Sequence, residues 1–184
     1  GYLPNTTPTI VAFLAAASLG AVWSACAQDY SGIGAATRFA QLEPTVLIAA
    51  DGYRWNGRIH DRRAEVAELR QALPTLQVTV YVDHLGLFAD SDLPEGTVAW
   101  VDALGTPAEP SYERVAFDVP LWVLFSSGTT GLPKGIVHGH GGVLLEHLKT
   151  LGLQIGAGPG RALFWYTTTN WMMWNLVVSG LLVG

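Results

Sequence analysis

The sequence predicts an α/β fold, with alternating strands and helices forming part of a mainly parallel sheet layered with helices. Three observations carry that prediction. Unbroken apolar runs such as Val46 to Ala50 and Leu121 to Phe125 suit strands covered on both faces. Between them lie segments whose apolar residues recur three and four apart, as in Val66, Leu69 and Leu73. The second run leads into eleven residues rich in glycine and hydroxyls, Phe125-Ser126-Ser127-Gly128-Thr129-Thr130-Gly131-Leu132-Pro133-Lys134-Gly135. Parallel sheets carry their ligand loops at such a place, beyond the carboxyl end of a strand.

Taken in order, Gly1-Tyr2-Leu3 reads as the tail of a strand. Thr7 and Pro8 mark a helix start, giving a buried helix over Pro8 to Leu19 and a strand over Ala21 to Ala25. The eighteen residues Ile10 to Ala27 carry no charge, near the lower limit for a membrane span. Their alanine-rich composition and Gly20 argue for helix then strand, and no basic segment precedes them as in a signal peptide. A helix over Ile33 to Leu42 closes at Glu43-Pro44, because proline disfavours helix in the residue before it. Val46 to Ala50 is the next strand. Asp61 caps a helix that turns Val66, Leu69 and Leu73 inward and its arginines and glutamates to water. Val78 to Val82 is a strand. From Asp83 to Pro120 the chain is acidic and dotted with prolines, a surface connection with a short strand at Val98 to Val101. Beyond the glycine-rich loop come a strand at Ile136 to His138 and a helix from Gly142 to Ile155 with Leu144, Leu148 and Leu151 as its apolar face. A last strand is expected over Ala162 to Thr168 and a helix over Trp171 to Leu182. The chain stops at Gly184 where another strand is expected, so both ends read as those of a piece from a longer protein.

Composition narrows the function classes. Apolar residues make up 49% of 184, enough for a sizeable core. The net charge is −5 with lysines and arginines scattered, which offers no basic stripe for nucleic acid and no polybasic run for a membrane surface. The single cysteine, Cys26, precludes an internal disulfide, reads as a small buried hydrophobe, and fits a reducing, cytoplasmic compartment.

The eleven-residue stretch is built to present donors. Glycines let the backbone approach a ligand, hydroxyls and successive N–H groups cradle phosphate oxygens, and Lys134 adds a compact positive charge. It is not a Walker A loop, since Gly131 is three residues before Lys134 and Gly135 stands where Ser or Thr belongs. Other constellations are weaker. His138-Gly139-His140-Gly141-Gly142 suggests an esterase oxyanion loop, but no Gly-x-Ser-x-Gly elbow occurs. His138, His140 and His147 lack a carboxylate partner, and no residue is assigned to a metal. Gly32-Ile33-Gly34 has Thr37 where a dinucleotide fingerprint needs its third glycine. Trp165, Tyr166, Trp171 and Trp174 suit either core or pocket lining.

The Ser-Gly-Thr-Thr-Gly…Pro-Lys-Gly pattern resembles the phosphate loop of the adenylate-forming enzymes: acyl-CoA synthetases, peptide-synthetase adenylation domains and luciferases. Gly1-Tyr2-Leu3-Pro4-Asn5, Gly20-Ala21-Val22-Trp23-Ser24 and Thr167-Thr168-Thr169-Asn170-Trp171-Met172-Met173-Trp174-Asn175 resemble the acetyl-CoA-synthetase-like branch. The resemblance implies that residues 1–184 are an incomplete segment of one ATP/AMP-binding domain, the partial N-terminal domain of such an enzyme, with the C-terminal domain absent. It implies ATP, Mg²⁺ and CoA as cosubstrates and a small acid, acetoacetate first and acetate or propionate next. Ser126, Ser127, Gly128, Thr129, Thr130, Gly131 and Lys134 would bind the ATP phosphates. Arg54 and Arg58, alternatively solvated loop charges, would contact the nucleotide end of CoA. Trp171 and Met173 would flank the acyl group, with Asn175 or the Trp174 indole N–H donating to a ketone. The family's aromatic-Gly-x-Thr-Glu motif, ribose-binding aspartate, hinge and catalytic lysine do not occur in the sequence. Two departures stand out: Asn170 replaces a glycine, and Gln28-Asp29-Tyr30 replaces Gly-Gly-Phe near the expected CoA channel. A truncated product that binds phosphates or a partner without catalysis is the alternative.

Overall fold

The computed structural model describes residues 1–88, 93–127 and 131–184. Helix α1 (Thr7–Ser18) precedes α2 (Gly32–Phe39), which runs into a short 3₁₀ turn at Ala40–Leu42. Strand β1 (Val46–Ala50) is followed by a hairpin, β2 (Gly52–Trp55) and β3 (Arg58–Asp61), then α3 (Arg63–Ala72) and β4 (Val78–Val82). Next come β5 (Thr97–Ala99), α4 (Trp100–Leu104), β6 (Pro120–Ser126), β7 (Lys134–Gly139), α5 (His140–Lys149) with a π-helical continuation at Thr150–Ile155, and α6 (Met172–Val178).

β1, β4 and β5 pair in parallel in that order. Isolated parallel bridges carry the sheet onward: Ala49 with Tyr2, Tyr2 with Cys26, and Trp23 with Trp122 on β6. The remnant at residues 1–3 and the segment 23–26 thus lie between β1 and β6, joined by isolated bridges where the sequence predicts full strands. β7 runs antiparallel on β6, and β2 and β3 form a separate antiparallel pair.

Side chains alternate across this sheet, which splits the core in two. Leu47, Ala49 and Tyr81 face one way and pack with Ala35, Ala36 and Phe39 of α2 and Val66 and Leu69 of α3. Ala50, Val82, Leu121 and Trp122 join the opposite cluster with Phe13 of α1, Val143 of α5 and Trp174 of α6. Cys26 is fully buried, and burial pushes its thiol up to about 11. Each fully buried Val or Leu contributes about 1.5–3 kcal/mol, so the three-residue stripe on α3 is a substantial part of its docking.

Several expectations are corrected. α1 buries Thr9, Ala12 and Phe13 but leaves Val11 and Leu14 exposed, because only one side of it meets the sheet. On α5 the buried stripe is Val143, His147 and Leu151, while Leu144 and Leu148 stay exposed. His147 is drawn inward by a hydrogen bond to Ser179 Oγ that a reading by hydrophobicity does not foresee. Residues 162–168 form no strand, since none of the described residues pairs with them. The arginines of α3 do more than face water: Arg63 donates to Leu87 O (2.6 Å) and Arg70 to Glu95 O (2.8 Å). Among the described residues no helix is long and apolar enough to cross a membrane.

Candidate functional site

The glycine- and hydroxyl-rich loop joins β6 to β7. Ladder register places Ser126 directly opposite Lys134, so the first hydroxyl and the ammonium of the motif sit at the two ends of the hairpin's last rung. Ser126, Ser127 and Lys134 are all exposed. Gly131 adopts φ +128°, a backbone conformation that favours glycine. Gln41 Nε2 donates to Pro133 O at 3.0 Å and ties the returning limb to the turn after α2. Gly128, Thr129 and Thr130 lie outside the described residues.

Arg54 and Arg58 stand on the β2–β3 hairpin, whose turn residues Asn56 and Gly57 have φ of +48° and +73°. This is the Asn-Gly signature of a tight hairpin, so the two arginines stand on paired strands rather than in an irregular loop. Arg54 pairs with Ile59 and Arg58 with Trp55. Paired residues share a face and neighbours alternate, so the two arginines lie on opposite faces of the ribbon. At its root, Tyr53 stacks on His60 (ring centroids 4.7 Å apart), and the Arg62 guanidinium lies 5.4 Å from the Tyr53 ring.

The segment 167–175 is fastened by two hydrogen bonds to the chain's first residues. Thr169 Oγ1 donates to Leu3 O at 3.0 Å, and Trp174 Nε1 donates to Asn5 Oδ1 at 2.8 Å. Phe13 contacts the rings of Trp174, Trp23 and Trp122 at centroid distances of 6.0, 6.1 and 5.7 Å. Trp174 is therefore core, and its N–H is taken. Trp171 is exposed and Met173 half-buried. Asn175 is buried, with no hydrogen-bond partner for its Nδ2 among the described residues. The two departures from the family pattern meet here, Asn170 Nδ2 lying 3.5 Å from Tyr30 Oη.

The parallel bridges give these three elements a common location. β6, segment 23–26, segment 1–3 and β1 all run the same way, so their carboxyl ends share one edge of the sheet. The glycine- and hydroxyl-rich loop leaves β6 at that edge and the arginine hairpin leaves β1. Three interstrand spacings separate the two strands, about 14 Å. Segment 167–175 bonds to Leu3, Asn5 and Tyr30, residues at the carboxyl ends of the two intervening strands, and so lies between them.

The histidines have packing roles. Trp122 lies between His138 and His147, with centroids 6.0 and 5.6 Å away. Burial holds both imidazoles below the ordinary histidine range, and the nearby His138 lowers His147 further. A Cβ at Gly141 would meet the Phe117 ring at 2.0 Å, which accounts for that glycine without an oxyanion role. A cavity of about 710 Å³ is lined by Ala15, Leu19, Leu42, Val46 and Trp100 among others, and by none of the candidate residues.

A parallel sheet with a glycine- and hydroxyl-rich loop at its carboxyl edge is the arrangement of the ligand-binding α/β class, and comparison with known proteins specifies the family. The AMP-binding enzyme family matches residues 2–183, and the chain belongs to that family. It is similar to the acetoacetyl-coenzyme A synthetase of Rhizobium meliloti (strain 1021), 44% identical over 186 residues and covering 99% of this chain and 28% of the relative. A malonamoyl-CoA synthetase of Penicillium aethiopicum is 39% identical over 193 residues, covering 100% of this chain and 27% of the relative. The solved acetoacetyl-CoA synthetase from Streptomyces lividans superposes with a TM-score of 0.95 at 55% identity, covering 100% of this chain and 28% of that one. The chain thus spans about 28% of the length of relatives it matches throughout.

Proposed function

We propose that this chain is an incomplete segment of the ATP/AMP-binding domain of an acid–thiol ligase. The parent enzyme joins acetoacetate to CoA through an acyl-adenylate, releasing pyrophosphate and then AMP. One observation carries the reading: phosphate loop, acyl segment and arginine hairpin follow one another along a single sheet edge. The chemistry needs that order. The acid first meets the α-phosphate of ATP, and its adenylate later meets the thiol, so the acyl group belongs between the two.

Ser126, Ser127, Gly128, Thr129, Thr130, Gly131 and Lys134 hold the outer phosphates. Donors fixed beforehand stabilise the charge that develops on departing pyrophosphate, the main source of catalysis in such a transfer. Mg²⁺ enters with ATP as part of the substrate. Arg54 or Arg58 takes the nucleotide end of CoA, where a guanidinium fork matches a phosphate. Trp171 and Met173 border the acyl group. The relatives' names point to acetoacetyl and malonamoyl groups, which share a carbonyl at carbon 3, and the spare Asn175 amide is a donor of the right kind. The lone cysteine fits a cytoplasmic enzyme.

The test is acetoacetate-dependent ATP–pyrophosphate exchange and CoA thioester formation by the full-length protein. Exchange with acetoacetate above that with acetate or propionate is expected. Absence of exchange with any of the three refutes the reading. The 184-residue segment by itself is expected to give none, because the ribose aspartate and catalytic lysine are not in it.

A further inference from the structure

The side chain of Asp51 is fully buried, yet no role in the reaction as described uses it. It follows the last residue of β1, at the carboxyl edge of the sheet. Its carboxylate accepts from three backbone N–H groups of the turn that follows β4. His84 N and Leu85 N lie 3.0 Å from Oδ1, while Leu85 N and Leu87 N lie 3.0 Å from Oδ2. Its own backbone joins the two neighbours: Asp51 N donates to Val82 O (3.2 Å), and Arg62 N donates to Asp51 O (2.8 Å).

One residue therefore fastens β1, the turn after β4 and the base of the arginine hairpin. The hairpin has few other supports. Among the described residues its two strands pair only with each other, and an isolated two-stranded ribbon is marginal in water. Its direction depends on its root. There Gly52 allows a close approach, since a Cβ would meet His60 O at 2.2 Å. Leu85, from the turn that Asp51 clasps, lies 3.0 Å from the same point. Arg63, just past the hairpin, reaches Leu87 O in that turn. The clasp and the root are a single packed unit.

We propose that Asp51 is a positioning residue for the thiol step, holding the hairpin so that its arginines meet the nucleotide end of CoA. The inference rests on the reading of that hairpin given above. A carboxylate suits the task because it accepts at both oxygens and carries no donor to oppose the three N–H groups. Asparagine has the same shape but turns an NH₂ toward one of them.

The experiment uses the full-length protein carrying Asp51→Asn, with Arg54→Ala and Arg58→Ala in parallel. KM for CoA is expected to rise roughly tenfold or more, the effect of losing a bond to a charged acceptor. Acetoacetate-dependent pyrophosphate exchange, which needs no CoA, is expected to stay within about twofold, since Asp51 touches no part of the adenylation apparatus. A merely structural residue would lower both steps together, and that result overturns the proposal, as does an unchanged KM for CoA. Wild-type protein supplies a second measurement that does not depend on the variant folding. By linkage, CoA held by the hairpin slows hydrogen exchange at the amides of residues 84–87, and exchange there that ignores CoA overturns the proposal. If neither arginine variant alters KM for CoA, the hairpin assignment itself fails and this inference falls with it. If an arginine variant responds and Asp51→Asn does not, the positioning role alone is refuted.

Discussion

Replacing Lys134 by alanine separates a phosphate-binding role from a structural one. Lys134 opens β7 opposite Ser126 and is exposed. No ion pair to it occurs among the described residues. The substitution therefore breaks no contact that holds the fold, and its effect on stability is expected to stay within about 0.5 kcal/mol. The effect on chemistry is larger. A hydrogen bond from an ammonium to a phosphate oxygen is worth about 1.5–3 kcal/mol, which lowers adenylation by roughly ten- to a hundredfold. The assay is acetoacetate-dependent pyrophosphate exchange by the full-length variant at low ATP, paired with a melting curve. Lys134→Arg retains the charge on a different donor geometry and is expected to recover part of the loss. An unchanged rate with an unchanged melting curve would remove Lys134 from the phosphate site. A lost rate with a melting point many degrees lower would make it a structural residue.

Three further outcomes follow from the geometry. Because Arg54 and Arg58 lie on opposite faces of the hairpin, their alanine variants are expected to raise KM for CoA unequally, and the larger effect should shrink with dephospho-CoA; equal losses with both thiols contradict a phosphate contact. If the Asn175 amide pairs the ketone, kcat/KM for acetoacetate exceeds that for butyrate by at least about tenfold, or 1.4 kcal/mol, and Asn175→Leu brings the ratio near one; a wild-type ratio near one leaves the ketone unread. His147 binds its proton less readily folded than unfolded, because burial opposes the charge. Between its lowered folded value and the ordinary value of 6.5 the unfolded chain holds more protons, so its contribution is present above about 6.5 and is lost as pH falls through the folded value. The melting temperature should fall from pH 7.5 toward 5.5, less steeply in His147→Gln, and an identical slope in the two proteins rules His147 out.

Much of the local structure was legible because local chemistry decides it. Val46–Ala50 and Val78–Val82 form strands with the expected boundaries. The first is a continuous apolar run, and both belong to a parallel sheet covered on its two faces. The helix at residues 63–72 follows its three-four spacing of Val66, Leu69 and Leu73. What escaped depends on partners distant in sequence. Nothing around His147 announces Ser179, 32 residues away, and nothing in Trp174 announces that Asn5 occupies its N–H. Residues 162–168 have the composition of a strand, but a ladder needs a neighbour. The β2–β3 hairpin differs, because its signal is local: Asn56-Gly57 takes the positive φ angles of a tight turn.

The order of elements along the sheet edge was the least legible feature, and it bears most on function. It rests on three isolated bridges that join Ala49, Tyr2, Cys26, Trp23 and Trp122. The middle position, segment 167–175, is fastened to the sheet end through Thr169 and Trp174, whereas the two flanking elements are carried by antiparallel hairpins, β6–β7 and β2–β3. That division suits a reaction in two halves. In the proposed reaction the acyl carbon must stay in register while pyrophosphate leaves on one side and a thiol arrives on the other. A misplacement there would penalise both halves, whereas either ribbon serves only one of them. Hydrogen bonds and aromatic packing give the shared position its fixity, and on the proposed reading each flank is left to be tuned to its own nucleotide.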